Sequence, residues 1–189
     1  GDNVSSFEHL RFSVRMGLSV MISGQAQYGH DVGGFVGNTT AELLARWLQS
    51  GSLQPLYRNH SGLWTAYQEP WVFGEPWTTY NRRSIKTRYE MMPYLYSLAY
   101  HAATSGVPMN VPTVFHFMSD TNTWSRNEGD YLAGRDLLVA PVSTGGAVQR
   151  VVYLPSGADW YEWRNDRLLA GGQETTVSAS LATLPRFAR

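Results

Sequence analysis

At 189 residues with 43% hydrophobic side chains, the chain can build one sizeable core or two small ones. Fifteen Lys plus Arg balance fifteen Asp plus Glu, so no single-sign field exists to recruit nucleic acid or an acidic membrane surface, and a neutral partner is expected. No stretch nears the roughly 18 apolar residues that span a bilayer, and the absence of cysteine excludes disulfides and thiolate metal sites while leaving the compartment open.

The chain starts Gly1-Asp2-Asn3 and reaches its first methionine at Met16, the pattern expected of a piece of a longer protein. Residues 8–17 read as a weakly amphipathic helix, with Leu10, Phe12 and Val14 among charged neighbours and an end near Gly17. Leu18 to Ser23 is a short apolar run with β-branched members and reads as a strand covered on both faces. It empties into Tyr28-Gly29-His30-Asp31-Val32-Gly33-Gly34, where the glycines let the backbone turn without a side chain in the way.

Thr39-Thr40-Ala41-Glu42 has the spacing of a capping box between Thr39 and Glu42, ahead of Leu43, Leu44, Trp47 and Leu48 on one helical face; Gly51 stops this helix. Leu53 to Tyr57 reads as a second short strand, delivering Arg58-Asn59-His60-Ser61 into a long loop with Trp64, Trp71, Phe73 and Trp77. A long helix is expected from about Thr78 to Thr104, with Ile85, Tyr89, Met92, Tyr96 and Ala99 near helical spacing, and Pro93 kinks or divides it. Most aromatics, Trp47 and Tyr89 among them, are expected in the core. The loop tryptophans offer flat faces that suit a sugar, although loop packing is the expected role of at least two of Trp64, Trp71 and Trp77.

Beyond Gly106-Val107-Pro108 the pattern changes to β-rich runs at Thr113–Phe117, Leu137–Val142, Gln149–Leu154 and Thr175–Ala179, punctuated by Ser156-Gly157 and Gly171-Gly172. This predicts an α/β part over residues 1–107 followed by an all-β sandwich over 108–189. In βα folds functional residues gather where strands end in loops, and His30, Asp31, Arg58 and His60 all lie there. A complete eight-fold barrel runs to about 250 residues, so the first part has room for about three units, the end of a barrel.

Singly, each of these residues has a structural explanation: Asp31 bonding its own turn, His30 holding a hydrogen bond, Arg58 solvated, His60 in a loop, Asp2 frayed near a terminus. Together, carboxylate, guanidinium and imidazole at two successive strand ends can converge on one polar ligand. A metal fits less well, since no His-x-x-x-His spacing exists and an Arg beside the site repels a cation. No phosphate loop or serine nucleophile elbow is present.

Six groups of residues resemble, in order, the motifs of glycoside hydrolase family 31, the α-glucosidase and α-xylosidase family. They are Gly1-Asp2-Asn3, Gly29-His30-Asp31-Val32-Gly33-Gly34-Phe35, Arg46-Trp47 with Tyr57-Arg58-Asn59-His60, Glu69-Pro70-Trp71, Arg88-Tyr89 with Pro93-Tyr94-Leu95-Tyr96, and Leu137 to Val142. The resemblance covers nearly the whole chain and implies the C-terminal units of a (β/α)8 TIM barrel followed by an antiparallel β-sandwich. It implies that Asp2 is the general acid/base after the sixth barrel strand and that Asp31 follows the seventh. Arg58 and His60 would follow the eighth and shape the pocket for a terminal sugar. Phe35 would line that pocket and His30 would form part of its wall.

The family's nucleophile, an aspartate in a Trp-x-Asp-x-Asn-Glu motif on the fourth strand, is expected upstream of these residues, so the chain alone is expected to be inactive. Asn110-Val111-Pro112 stands where many members have Arg-Pro, so a structural contact at the domain junction is expected to differ. The resemblance implies a retaining enzyme taking terminal α-linked glucose from oligosaccharides, needing no metal or organic cofactor. An α-xylosidase or α-transglucosylase is the near alternative, and a non-catalytic carbohydrate-binding protein the distant one. No nucleic-acid or membrane partner is expected, and oligomeric state and compartment leave no mark in the sequence.

Overall fold

The first helix, α1 (Phe7–Ile22), starts at Ser6, whose hydroxyl accepts from the His9 N–H at 3.1 Å in a computed structural model that describes residues 2–126 and 129–189. Gly1, part of the Gly-Asp-Asn motif, lies outside the described residues. The helix runs through the expected stop at Gly17 and through the expected strand at Leu18–Ser23. Leu10, Val14, Leu18 and Met21 recur at helical spacing and enter one core, a set that a change to strand would split. Gly17 is a contact rather than a terminator: a Cβ there would lie 2.6 Å from Cδ1 of Tyr28.

The strand β1 (Asp31–Val32) pairs parallel with β2 (Arg58–Asn59), placing Asp31 opposite Arg58. Between them α2 (Ala41–Gly51) is capped by Thr40 rather than Thr39, the Thr40 hydroxyl accepting from Leu43 N–H at 3.3 Å. Glu42 is used elsewhere, accepting from the Gly146 N–H at 2.9 Å and lying 3.6 Å from Arg46, so the expected capping box does not form. Leu43, Leu44, Trp47 and Leu48 are buried as the pattern predicts.

The strand expected over Leu53–Tyr57 is also replaced. Four successive carbonyls are taken by side chains: those of Ser52, Gln54 and Pro55 by the Arg88 guanidinium and that of Leu53 by Asn110 Nδ2 at 3.0 Å. A segment whose acceptors are satisfied this way has nothing left for a ladder, and pairing begins only at Arg58. Asn110, the departure from the family pattern, thus makes its own contact at the junction.

Pro93 divides the long helix. α3 (Trp77–Glu90), which includes Trp77 rather than leaving it in the loop, is followed by α4 (Met92–Ser105), with the proline in the first turn, where its missing N–H costs nothing. Tyr89 is 71% exposed, not core, because the buried positions of α3 are Asn81 and Ser84 and it is the neighbouring Arg88 that turns inward.

The second part contains β3 (Asn110–Pro112), the short α5 (Asn122–Ser125), β4 (Tyr131–Ala133), β5 (Leu137–Val139), β6 (Gln149–Leu154), β7 (Asp159–Glu162), β8 (Arg167–Ala170), β9 (Gln173–Ser178) and β10 (Arg186–Ala188). Six strands form an antiparallel sheet in the order β3-β4-β5-β10-β7-β8, and β6 and β9 form an antiparallel ribbon. Thr113–Phe115 is a 3-10 turn, not a strand, since the N–H groups of His116 and Phe117 both return to the Thr113 carbonyl. The strand expected to run to Val142 ends at Val139, two residues before Pro141.

Strands β4 and β5 are buried on both faces. Leu132 and Leu138 point into a core with Val152, Leu154, Trp160, Val177 and Phe187, between sheet and ribbon. Tyr131, Ala133, Leu137 and Val139 point the other way, into the core with α1 and α2.

Replacing a helix-interior glycine with alanine ordinarily stabilises by about 1 kcal/mol. Gly17→Ala is expected to do the opposite here, costing about 1–3 kcal/mol because the added methyl meets the Tyr28 ring. In a Tyr28→Ala background the sign should revert; urea unfolding of the four-member cycle measures both. Equal effects in the two backgrounds would remove the contact as the reason for glycine.

Candidate functional site

Asp31 is fully buried, with no exposed surface. Its Oδ1 accepts from Arg58 Nε at 3.0 Å and also from Arg58 Nη2, while Oδ2 is buried without a partner among the described residues. The Arg58 side chain is half exposed, so a buried carboxylate is neutralised by a cation that keeps much of its hydration. His60 is exposed and stacks on Phe35, the ring centroids 5.4 Å apart and the planes 30° from parallel.

The segment carrying Asp2 is tied to this rim. Asn3, 5% exposed, donates from Nδ2 to the Asp31 carbonyl at 3.1 Å and accepts from the Phe35 N–H through Oδ1 at 2.9 Å. Its backbone carbonyl accepts from Phe35 and Val36, and Val4 forms a parallel bridge to Val36. Asp2 itself is exposed beside these contacts. Gly33 and Gly34 turn the chain between Asp31 and Phe35 with φ of +93° and +95°. A Cβ on Gly34 would lie 2.6 Å or less from the Ser5 backbone and hydroxyl, so the Asp2 segment can approach only a glycine.

His30 does not join this rim. It is 2% exposed, and its Nδ1 accepts from Trp47 Nε1 of α2 at 2.8 Å. An indole only donates, so the proton of the neutral imidazole sits on Nε2. Burial lowers the pKa to about 4, against the opposing pull of Asp31.

Residues 1–98 match the family described as "Glycosyl hydrolases family 31 TIM-barrel domain", and residues 106–189 the "Glycosyl hydrolase family 31 C-terminal domain". The chain belongs to glycosyl hydrolase family 31. It is 41% identical over 187 residues to alpha-glucosidase 2 of Bacillus thermoamyloliquefaciens, covering 99% of this chain and 24% of that one. Among solved structures it resembles a family 31 alpha-xylosidase from a soil metagenome, complexed with xylose. That match has a TM-score of 0.93 and 30% identity, over 100% of this chain and 31% of the other. It also resembles the Flavobacterium johnsoniae family 31 dextranase complexed with glucose, with a TM-score of 0.92 and 35% identity, over 100% and 24%. The chain therefore spans about a quarter of the curated relative's length. Its helices, parallel strand pair and antiparallel sheets are the α/β C-terminal part of the family 31 barrel and the β domain that follows.

Two residues that organise this candidate site receive no role from the sequence, although Asn3 stands in the Gly-Asp-Asn motif. Gln68, 5% exposed, sets its Nε2 within 3.0–3.4 Å of the carbonyls of Val32, Gly34 and His60 and of Asn59 Oδ1, so one amide joins the loops after β1 and β2. In return Asn59 Nδ2 donates to the Gln68 carbonyl at 2.6 Å. Asn3 is the other. Neither carries a charge or a periodic signal, and only the adjacency of Asn3 to Asp2 marks it.

The lowered pKa of His30 has a stability consequence. The unfolded chain binds a proton near the ordinary value of 6.5 and the folded chain only near 4, so the stabilising contribution is fully present above pH 6.5 and is lost as pH falls toward 4. His30→Asn keeps an acceptor for Trp47 but cannot titrate, and should flatten this part of the stability–pH curve measured by chemical denaturation. An unchanged slope would show that His30 does not set it.

Proposed function

We propose that these residues form part of a retaining α-glycosidase that removes terminal α-linked glucose from oligosaccharides. Residues 1–107 would be the closing portion of its (β/α)8 catalytic barrel and 108–189 a β-sandwich domain. The observation that carries this reading is the Asp31–Arg58 pair across two adjacent parallel strand ends. The buried carboxylate holds the guanidinium in place, and the half-exposed Arg58 side chain is left free to donate to a sugar hydroxyl. His60 and Phe35, already stacked, supply a donor and an apolar face beside it.

Asp2 is the general acid/base in this scheme. It protonates the leaving glycosidic oxygen while a carboxylate outside these 189 residues attacks the anomeric carbon, then takes the proton from the water that hydrolyses the glycosyl-enzyme. Retention requires the two carboxyl groups to lie about 5–5.5 Å apart. The anchoring of Asn3 under the Asp31–Phe35 loop supports this role, because it fixes the neighbouring backbone of Asp2 against the same rim. Glucose is taken as the terminal sugar because the curated relative of 41% identity is an alpha-glucosidase and the dextranase neighbour of 35% identity is complexed with glucose. The sugar complexes of the structural neighbours support a glycoside ligand of this general class.

The test is the Asp2→Asn variant of a catalytically complete enzyme containing this chain. Maltose cleavage should fall by about 10²- to 10⁴-fold. An aryl α-glucoside with a good leaving group should still give a burst of phenol, since the first step then needs no acid. Equal cleavage of maltose by both enzymes would remove Asp2 from the mechanism.

A further inference from the structure

Within these residues, about a quarter of the curated relative's length, the loop after β2 leaves Trp64 97% exposed and holds it at φ +68°, a left-handed conformation that a bulky side chain rarely adopts. Nothing about this loop is loose. The Gly62 N–H donates to the Phe35 carbonyl at 2.8 Å, Thr65 Oγ1 to the Gly62 carbonyl at 2.9 Å, and the Ala66 N–H to Asn38 Oδ1 at 2.7 Å. Hydrogen bonds on both sides therefore hold an unfavourable torsion that projects the indole away from the rest of the loop. Trp77 is half-buried in α3 with its ring 6.2 Å from that of Tyr80, whereas Trp71 is also exposed, at 66%, so only one of the three packs as expected; Trp71 lacks the left-handed backbone of Trp64.

Trp64 lies on a hollow of about 530 Å³ that is also lined by Asn59, His60, Tyr67 and Gln68. His60 belongs to the proposed terminal-sugar pocket, so the hollow adjoins that pocket at this residue. A pyranose ring presents an apolar C–H face edged by hydroxyls, which matches a flat aromatic beside amide and imidazole groups. We propose that Trp64 is a stacking platform for the sugar units that follow the terminal residue, so that it sets the preference for longer α-linked oligosaccharides. The proposal rests on the α-glycosidase reading given above. It assigns Trp64 to specificity and not to bond cleavage, because its ring contacts the chain beyond the broken bond.

The experiment compares wild type with Trp64→Gly and Trp64→Phe in a catalytically complete enzyme containing this chain. The substrates are maltotetraose and α-glucosyl fluoride, which has no second sugar. For Trp64→Gly, the ratio of kcat/KM for maltotetraose to that for the fluoride should fall roughly 3- to 10-fold, carried by KM. Trp64→Phe, which keeps an aromatic face, should recover part of it. The glycine also relieves the left-handed torsion, so Tm should hold or rise. An unchanged ratio overturns the platform. So does a parallel loss on both substrates with a lowered Tm, which would show that the ring packs against another part of the enzyme. Wild-type enzyme that cleaves neither substrate would defeat the α-glycosidase reading itself, and the platform with it.

Discussion

The two-sided burial of β4 and β5 is the constraint on which the rest of this structure depends. Alternation along three-residue strands sends Tyr131, Ala133, Leu137 and Val139 to the helices and Leu132 and Leu138 to the ribbon, so one sheet closes two cores. Polar contacts fix the register between the parts. The Tyr94 hydroxyl donates to the Ala133 carbonyl at 2.6 Å, Arg46 Nη2 to the Ala147 carbonyl at 2.9 Å, and Asn110 to the Leu53 carbonyl. The sheet positions α2, Trp47 of α2 holds His30, and His30 precedes Asp31 in the chain. The β domain thereby reaches the candidate site through three successive contacts without lining it.

At the site itself the parallel ladder is only two residues on each strand, too short to define a rim. Side-chain amides do the work that a longer sheet would do. Asn3 joins the Asp2 segment to the loop after β1, and Gln68 joins that loop to the one after β2. An amide suits this task because it donates and accepts without bringing a charge beside the buried Asp31, whose countercharge is Arg58. Charged groups in their place would compete for that pair.

The residues that would carry chemistry were legible because they are chemically unusual in combination: Asp31, Arg58 and His60 follow short runs and stand beside Gly33-Gly34. The turn, the two-part architecture and the division at Pro93 were legible for the same kind of reason, a strong local preference. What failed were the local readings that tertiary contacts override. Gly17 resembles a helix stop and is a packing contact with Tyr28. Leu53–Tyr57 has strand composition, yet Arg88 and Asn110, distant in sequence, claim its carbonyls. Tyr89 sits at helical spacing among apolar residues but faces water. Asn3 and Gln68 act through geometry alone, which no single-sequence pattern records.

The fate of the His30-Asp31 dipeptide shows how local rule and tertiary context divide the work. His30 directly precedes β1, and the two adjacent side chains go to different partners, Trp47 for His30 and Arg58 for Asp31. One of them turns toward the helices, into a low-dielectric interior where a charge is costly. Imidazole can meet that demand by remaining neutral and accepting from Trp47; a carboxylate in the same place would carry a costly buried charge. The order His-Asp therefore follows from which face carries Arg58. Reversing it would bury the charge against an indole and present imidazole to a guanidinium, losing both interactions with no change in composition.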